Sequence, residues 1–106
     1  MKSMLMVVVT TAALAAAGAA VAQDQSALAK SSGCLNCHSV DTKKMGPAFK
    51  DVAAKYKGKA DAVDKIVHHL TSGEKAKFPD GHEEDHKVVK RDPAEIKNLA
   101  EWILAQ

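Results

Sequence analysis

A chain of 106 residues with 15 basic and 13 acidic side chains, a formal net charge of +2, has room for one small domain and no more. The near-even charge balance argues against a nucleic-acid-binding surface, which needs a clear basic excess. Only four aromatic residues are present, Phe49, Tyr56, Phe78 and Trp102, so a core this small needs support beyond its own apolar burial.

The N-terminal stretch reads as a removable export segment. Met1, Lys2 and Ser3 give a short positive start, and Met4 to Ala17 is almost wholly apolar. Gly18 loosens the run, and Ala20-Val21-Ala22 forms a small-x-small cleavage site, the pattern of a secretory signal peptide. The apolar run is short for a membrane anchor, which usually takes about 20 residues. Cleavage after Ala22 leaves residues 23–106 as a single expected domain. Lys2 is then the only charge lost, and 14 basic residues face 13 acidic ones.

The remaining chain carries a helical pattern throughout, with no alternating strand pattern and no internal repeat. Asp24 is placed to cap a first helix from about Gln25 to Ser32, with Leu28 and Ala29 inward and Gly33 ending it. After Pro47, the spacing of Phe49, Val52, Ala53 and Tyr56 predicts a short helix that stops near Gly58. Asp61 opens a third helix with Val63, Ile66, Val67 and Leu70 inward, closed by Gly73. Between Gly73 and Asp92 lies a long polar segment, which in a small domain is usually functional or disordered. Phe78, Val88 and Val89 in it favour burial, and it carries two histidines, His82 and His86. In the last helix Asp92 caps, Pro93 takes the first turn and Glu95 completes a capping-box spacing. Ile96, Leu99, Ala100 and Ile103 then form one stripe, with Trp102 beside it.

Cys34-Leu35-Asn36-Cys37-His38 is the pattern of c-type haem attachment. Two thiols three positions apart reach the two vinyl groups of one haem as thioethers. The histidine after the second cysteine is carried under the iron, and neutral imidazole is an ordinary axial ligand for it. Such attachment occurs outside the cytoplasm, in agreement with the export segment. A redox-active Cys-x-x-Cys favours a βαβ setting, a zinc site needs further ligands, and a plain disulfide leaves His38 unexplained.

Together with Lys44-Met45-Gly46-Pro47-Ala48-Phe49 and Ala100-Glu101-Trp102-Ile103-Leu104, this motif makes the chain resemble the short single-haem class I c-type cytochromes of the bacterial periplasm. The resemblance spans essentially all of residues 23–106. It implies an all-α fold of about four to five helices around one covalent haem c, and an exported, periplasmic protein. It further implies a carrier of single electrons between redox partner proteins, not an enzyme, without stable membrane insertion. It makes Pro47 the residue whose carbonyl accepts the ring N–H of His38, and Trp102 a residue packed near the haem.

One departure stands out. The family normally supplies a methionine as second axial ligand from a loop ahead of the last helix. Met1, Met4 and Met6 leave with the signal peptide, and Met45 sits only seven residues after His38, on the side of that histidine. Met45 is expected to be a packing residue. Counted back from Trp102, His86 stands where that methionine would be, so His86 is the favoured sixth ligand and His82 the second choice. An open site, or another ligand such as Lys77, is the remaining alternative. His68 and His69 point about 100° apart on the third helix; His69 lies nearer its apolar stripe, and both are expected as ordinary helix residues. Methionine raises the iron potential, so bis-histidine ligation implies a lowered one. An open sixth site would instead suit the binding or sensing of small gases, or a small peroxidase. Lys43, Lys44, Lys50, Lys55, Lys57 and Lys59, interspersed with Asp41, Asp51 and Asp61, are placed to steer an acidic partner. Oligomeric state is not legible in the sequence.

Overall fold

The structure is a computed structural model that describes residues 23–106. The expected signal peptide and its cleavage site after Ala22 lie outside the described residues. Among the described residues, four α-helices run in the order α1 (Ser26–Ser31), α2 (Phe49–Tyr56), α3 (Ala62–Thr71) and α4 (Pro93–Leu104), with a 3-10 turn at Cys34–Asn36 after α1. Two strands, β1 (Lys75–Lys77) and β2 (Glu83–Asp85), lie between α3 and α4.

The helices form where the apolar spacing places them, and each buries one stripe. Ala29 of α1, Phe49 of α2, Ile66 and Leu70 of α3, and Ile96, Leu99, Ala100, Trp102 and Ile103 of α4 meet in one apolar cluster, joined by Val89. The last helix packs on both α2 and α3 and supplies half of that cluster. Leu99 is the largest side chain that is fully enclosed.

The helix starts differ in how they are secured. Asp24 Oδ1 accepts the N–H of Ser26 at 2.9 Å and so takes up one free first-turn donor of α1. Asp61 precedes α3 but makes no cap hydrogen bond; its carboxylate turns instead to Lys65, one turn on, at 3.7 Å. The capping box expected at Asp92 and Glu95 is also not closed: Asp92 has extended backbone at φ −58° and ψ 145° and makes no side-chain cap bond. Pro93, whose ring presets the helical φ and has no N–H to satisfy, opens α4 by itself.

The polar segment after α3, where the sequence shows no strand pattern, is more ordered than a long polar connection. It folds as an antiparallel hairpin in which Lys75 faces Asp85, Ala76 faces Glu84 and Lys77 faces Glu83. Three-residue strands with every side chain but Ala76 exposed bury no face, so they leave no two-residue alternation to read. The pairing is marked by charge: Lys75 Nζ lies 2.6 Å from Asp85 Oδ1 across the ladder. Beyond the hairpin, the N–H of Val89 donates to the carbonyl of Leu70 at 2.8 Å, tying the returning chain to the end of α3. Of the three apolar residues in this segment, Val89 is buried, Phe78 is half-buried and Val88 is 38% exposed.

Candidate functional site

Gly33 ends α1 in the left-handed region at φ 77°, which glycine adopts without a side-chain penalty, and turns the chain into the 3-10 turn. The turn is closed by the N–H groups of Cys37 and His38, which both donate to the carbonyl of Cys34 at 3.2 and 2.9 Å. Cys34, Cys37 and His38 thus share one compact turn, all three half-buried, with both thiols free. Burial pushes the Cys34 thiol above its ordinary value, partly opposed by its own backbone N–H and by the nearby Lys87 ammonium.

The ring of His38 is held on three sides. Its Nδ1 lies 2.7 Å from the carbonyl of Pro47, which can only accept, so Nδ1 carries the proton and Nε2 keeps its lone pair. Gly46 lies against the ring: a Cβ there would sit 2.7 Å from Nδ1 and 2.9 Å from Nε2. The N–H of Gly46 donates to the carbonyl of Cys37 at 2.7 Å, which locks the two segments together. Phe49 stacks on the imidazole with ring centroids 5.2 Å apart, and Trp102 meets Phe49 edge-on at 5.7 Å. Trp102 therefore supports the site through Phe49.

Across from His38 stands His86, with ring centroids 6.3 Å apart and planes tilted by 48°. Its Nδ1 donates to the carbonyl of Lys87 at 3.0 Å, again leaving Nε2 unused by the protein. Its main-chain N–H donates to the carbonyl of Glu74 at 2.9 Å. The His69 ring packs on it with centroids 4.0 Å apart, and His69 Nδ1 donates to Glu74 Oε1 at 2.7 Å. Burial holds the His86 imidazole below its ordinary pKa, with His69 and His38 adding repulsion. The hydrogen bond from His69 in turn keeps the Glu74 carboxyl below its usual range.

The other candidates lie elsewhere. His82 sits at the far end of the hairpin, stacked on Phe78 at 4.5 Å, bonded to Asp80 and 3.3 Å from Glu84. Lys77 is exposed in β1. Met45 is 54% exposed and fills no gap in the core, contrary to its expected packing role: Gly46 and Phe49 occupy the faces of His38. Two residues beside the site were not given a part in it by the sequence, His69 and Glu74. His69 had a legible signal, three positions after Ile66 beside the apolar stripe of α3. Glu74 had none, because its contact with His69 depends on the turn at Gly73.

The donor set suits a metal held between two faces. Two imidazoles bound through Nε2 at about 2 Å each put their ring centroids about 6 Å apart on opposite sides of the metal, close to the spacing of His38 and His86. Both rings give their Nδ1 proton to a main-chain carbonyl, the arrangement that orients a metal-binding imidazole and raises its basicity. Two free thiols lie in the turn that carries His38.

A family model described as cytochrome c matches residues 15–106. Cytochrome c-551 of Stutzerimonas stutzeri is 39% identical over 105 residues, covering 99% of this chain and 98% of that protein. Cytochrome c-552 of Hydrogenobacter thermophilus is 40% identical over 88 residues, covering 83% of this chain and 85% of the relative. Among solved structures, the Class 1 cytochrome MtoD from Sideroxydans lithotrophicus ES-1 is similar at 59% identity with a TM-score of 0.73, over 74% of this chain and 88% of that one.

Proposed function

This chain belongs to the cytochrome c family, and from that premise we propose that it is an exported periplasmic electron carrier whose haem iron is held between His38 and His86. It is not an enzyme; it carries one covalently bound haem c and passes electrons between redox partners. The bound group supplies one-electron iron chemistry.

Everything else is done by the chain. Cys34 and Cys37 would supply the two thioether sulfurs. His38 would bind the iron on one side, its ring held by Pro47 and Gly46. His86 would bind it on the other, while the Lys87 carbonyl holds the proton of its other nitrogen. Trp102 packs behind Phe49 and keeps water from that side. Held by both imidazoles, the iron would offer no free position to a substrate, which suits electron exchange. An imidazole in place of the family's methionine lowers the potential, since methionine raises it. Export rests on the signal-peptide pattern with cleavage after Ala22, and no helix among the described residues is long and apolar enough to cross a membrane.

The observation that carries this reading is the opposition of His38 and His86 at 6.3 Å, each with Nδ1 engaged by a carbonyl. The test replaces His86 and His82 by Ala separately and records the spin state of the oxidised protein and carbon monoxide binding by the reduced one. His86→Ala is expected to become high-spin and to bind carbon monoxide, and His82→Ala to match wild type. The reading fails if His86→Ala keeps the wild-type low-spin spectrum when His69→Ala is added, which removes the neighbouring imidazole as a substitute. Ready carbon monoxide binding by the wild-type protein would favour a gas-binding site instead.

A further inference from the structure

We propose that His69 and Glu74 are positioning residues that fix the plane of the His86 imidazole; the inference rests on His86 being the distal ligand. The ring torsion of a histidine has a broad, roughly two-fold preference, so its plane is set by what the ring touches. His86 is touched in two places. Its Nδ1 edge meets the Lys87 carbonyl at 3.0 Å, and one face meets the His69 ring at 4.0 Å between centroids, with the planes 46° apart. Rotation of His86 about its ring torsion would drive it into His69.

Glu74 makes that obstacle rigid. Its carboxylate Oε1 accepts the His69 Nδ1 proton at 2.7 Å, and Oε2 lies 3.4 Å from Nε2 of His68, so it bridges adjacent residues at the end of α3. Its main-chain carbonyl accepts the N–H of His86 at 2.9 Å. One residue thus holds the backbone of the distal histidine and the side chain that packs against its ring. The bond from Val89 to Leu70 anchors the same segment just beyond His86. His38 has its own separate support in Pro47 and Gly46, so the 48° between the two imidazoles is the product of two independent devices.

The side chains of His69 and Glu74 are 35% and 43% exposed, so truncating them opens no cavity in the core. The test uses the haem-loaded full-length protein and reads the electron paramagnetic resonance of its oxidised form, whose g values follow the relative orientation of two axial imidazoles, together with the midpoint potential. His69→Ala and Glu74→Ala are expected to shift and broaden the largest g value and to move the potential, with the unfolding midpoint little changed. His69→Phe restores a ring face and is expected to return the g value toward wild type. Glu74→Gln keeps an acceptor oxygen and is expected to change it less than Glu74→Ala. Wild-type g values and potential in both alanine variants overturn the proposal, whether or not stability falls, and so does a shift in His69→Ala that His69→Phe leaves uncorrected. Failure of the ligand reading is seen separately, as a wild-type low-spin spectrum in His69→Ala/His86→Ala.

Discussion

Gly46 is without a side chain because His38 fills the space one would occupy. A Cβ there meets the ring at 2.7 Å from Nδ1 and 2.9 Å from Nε2, and His38 cannot swing aside while Nδ1 stays bonded to Pro47. Gly46→Ala is therefore expected to destabilise the folded protein by about 1–3 kcal/mol, as overpacking does, and to lower its haem content. Urea unfolding and the haem-to-protein absorbance ratio check this, and wild-type values for both would contradict it. His82 offers a pH prediction away from the site. The hydrogen bond to Asp80, helped by Glu84, raises its pKa above the ordinary 6.5, while the main-chain N–H of His82 first and its imidazole second keep Asp80 below 3.8. A raised histidine pKa contributes stability that is complete below 6.5 and lost as pH rises through the folded value. The lowered aspartate contributes above 3.8 and loses this as pH falls through its folded value. Both groups are exposed, so the effect on unfolding is small, and the clean readout is an NMR titration. His82 is expected to titrate above 6.5, and Asp80→Asn to bring it back toward that value. An ordinary His82 titration in the wild type would count against the pair.

At the scale of elements, α4 and the hairpin represent opposite ways of holding a segment. The last helix buries one continuous stripe with Leu99 fully enclosed, so Leu99→Ala is expected to cost about 2–5 kcal/mol, the range for emptying a packed core position. The hairpin is held by a three-residue ladder and the exposed pair Lys75–Asp85, whose side chains are 64% and 71% exposed. Exposed pairs contribute about 0–1 kcal/mol, so Asp85→Ala is expected to leave the urea midpoint nearly unchanged. A large loss in Asp85→Ala, or none in Leu99→Ala, would reverse this ranking. The same contrast explains what was legible. The periodic apolar positions of α2, α3 and α4 forecast helices within a few residues of those observed, because burying a stripe leaves a periodic trace. The strands escaped notice because a short exposed ladder leaves none. The capping spacing at Asp92 and Glu95 was present without its bonds, since Pro93 starts the helix alone.

For the whole molecule, basic side chains gather around α2 while Asp80, Glu83, Glu84 and Asp85 lie on the hairpin. Lys50 is paired with Asp41 at 2.6 Å, and Lys43, Lys55, Lys57 and Lys59 are exposed as it is. Electron exchange with an acidic partner is expected to slow as ionic strength rises, and Lys55→Glu/Lys57→Glu to weaken that dependence. Stopped-flow rates across a salt series measure it, and a flat series in the wild type would remove the lysines from docking. Amino-acid order alone determined the helical class and pointed to the turn of residues 34–38 as the proposed attachment site, because each is a local matter: an apolar repeat within one helix, or two thiols and an imidazole within five residues. For the distal side it favoured His86 over His82, by the count back from Trp102. Tertiary structure sets His86, and not His82, across from His38: the hairpin folds His82 back onto Phe78 and Asp80, while the bonds from His86 to Glu74 and from Val89 to Leu70 hold His86 on the other side. The same closure placed His69 and Glu74 beside that ring. Contacts between segments distant along the chain arise when the segments pack, and neighbouring residues carry no mark of them.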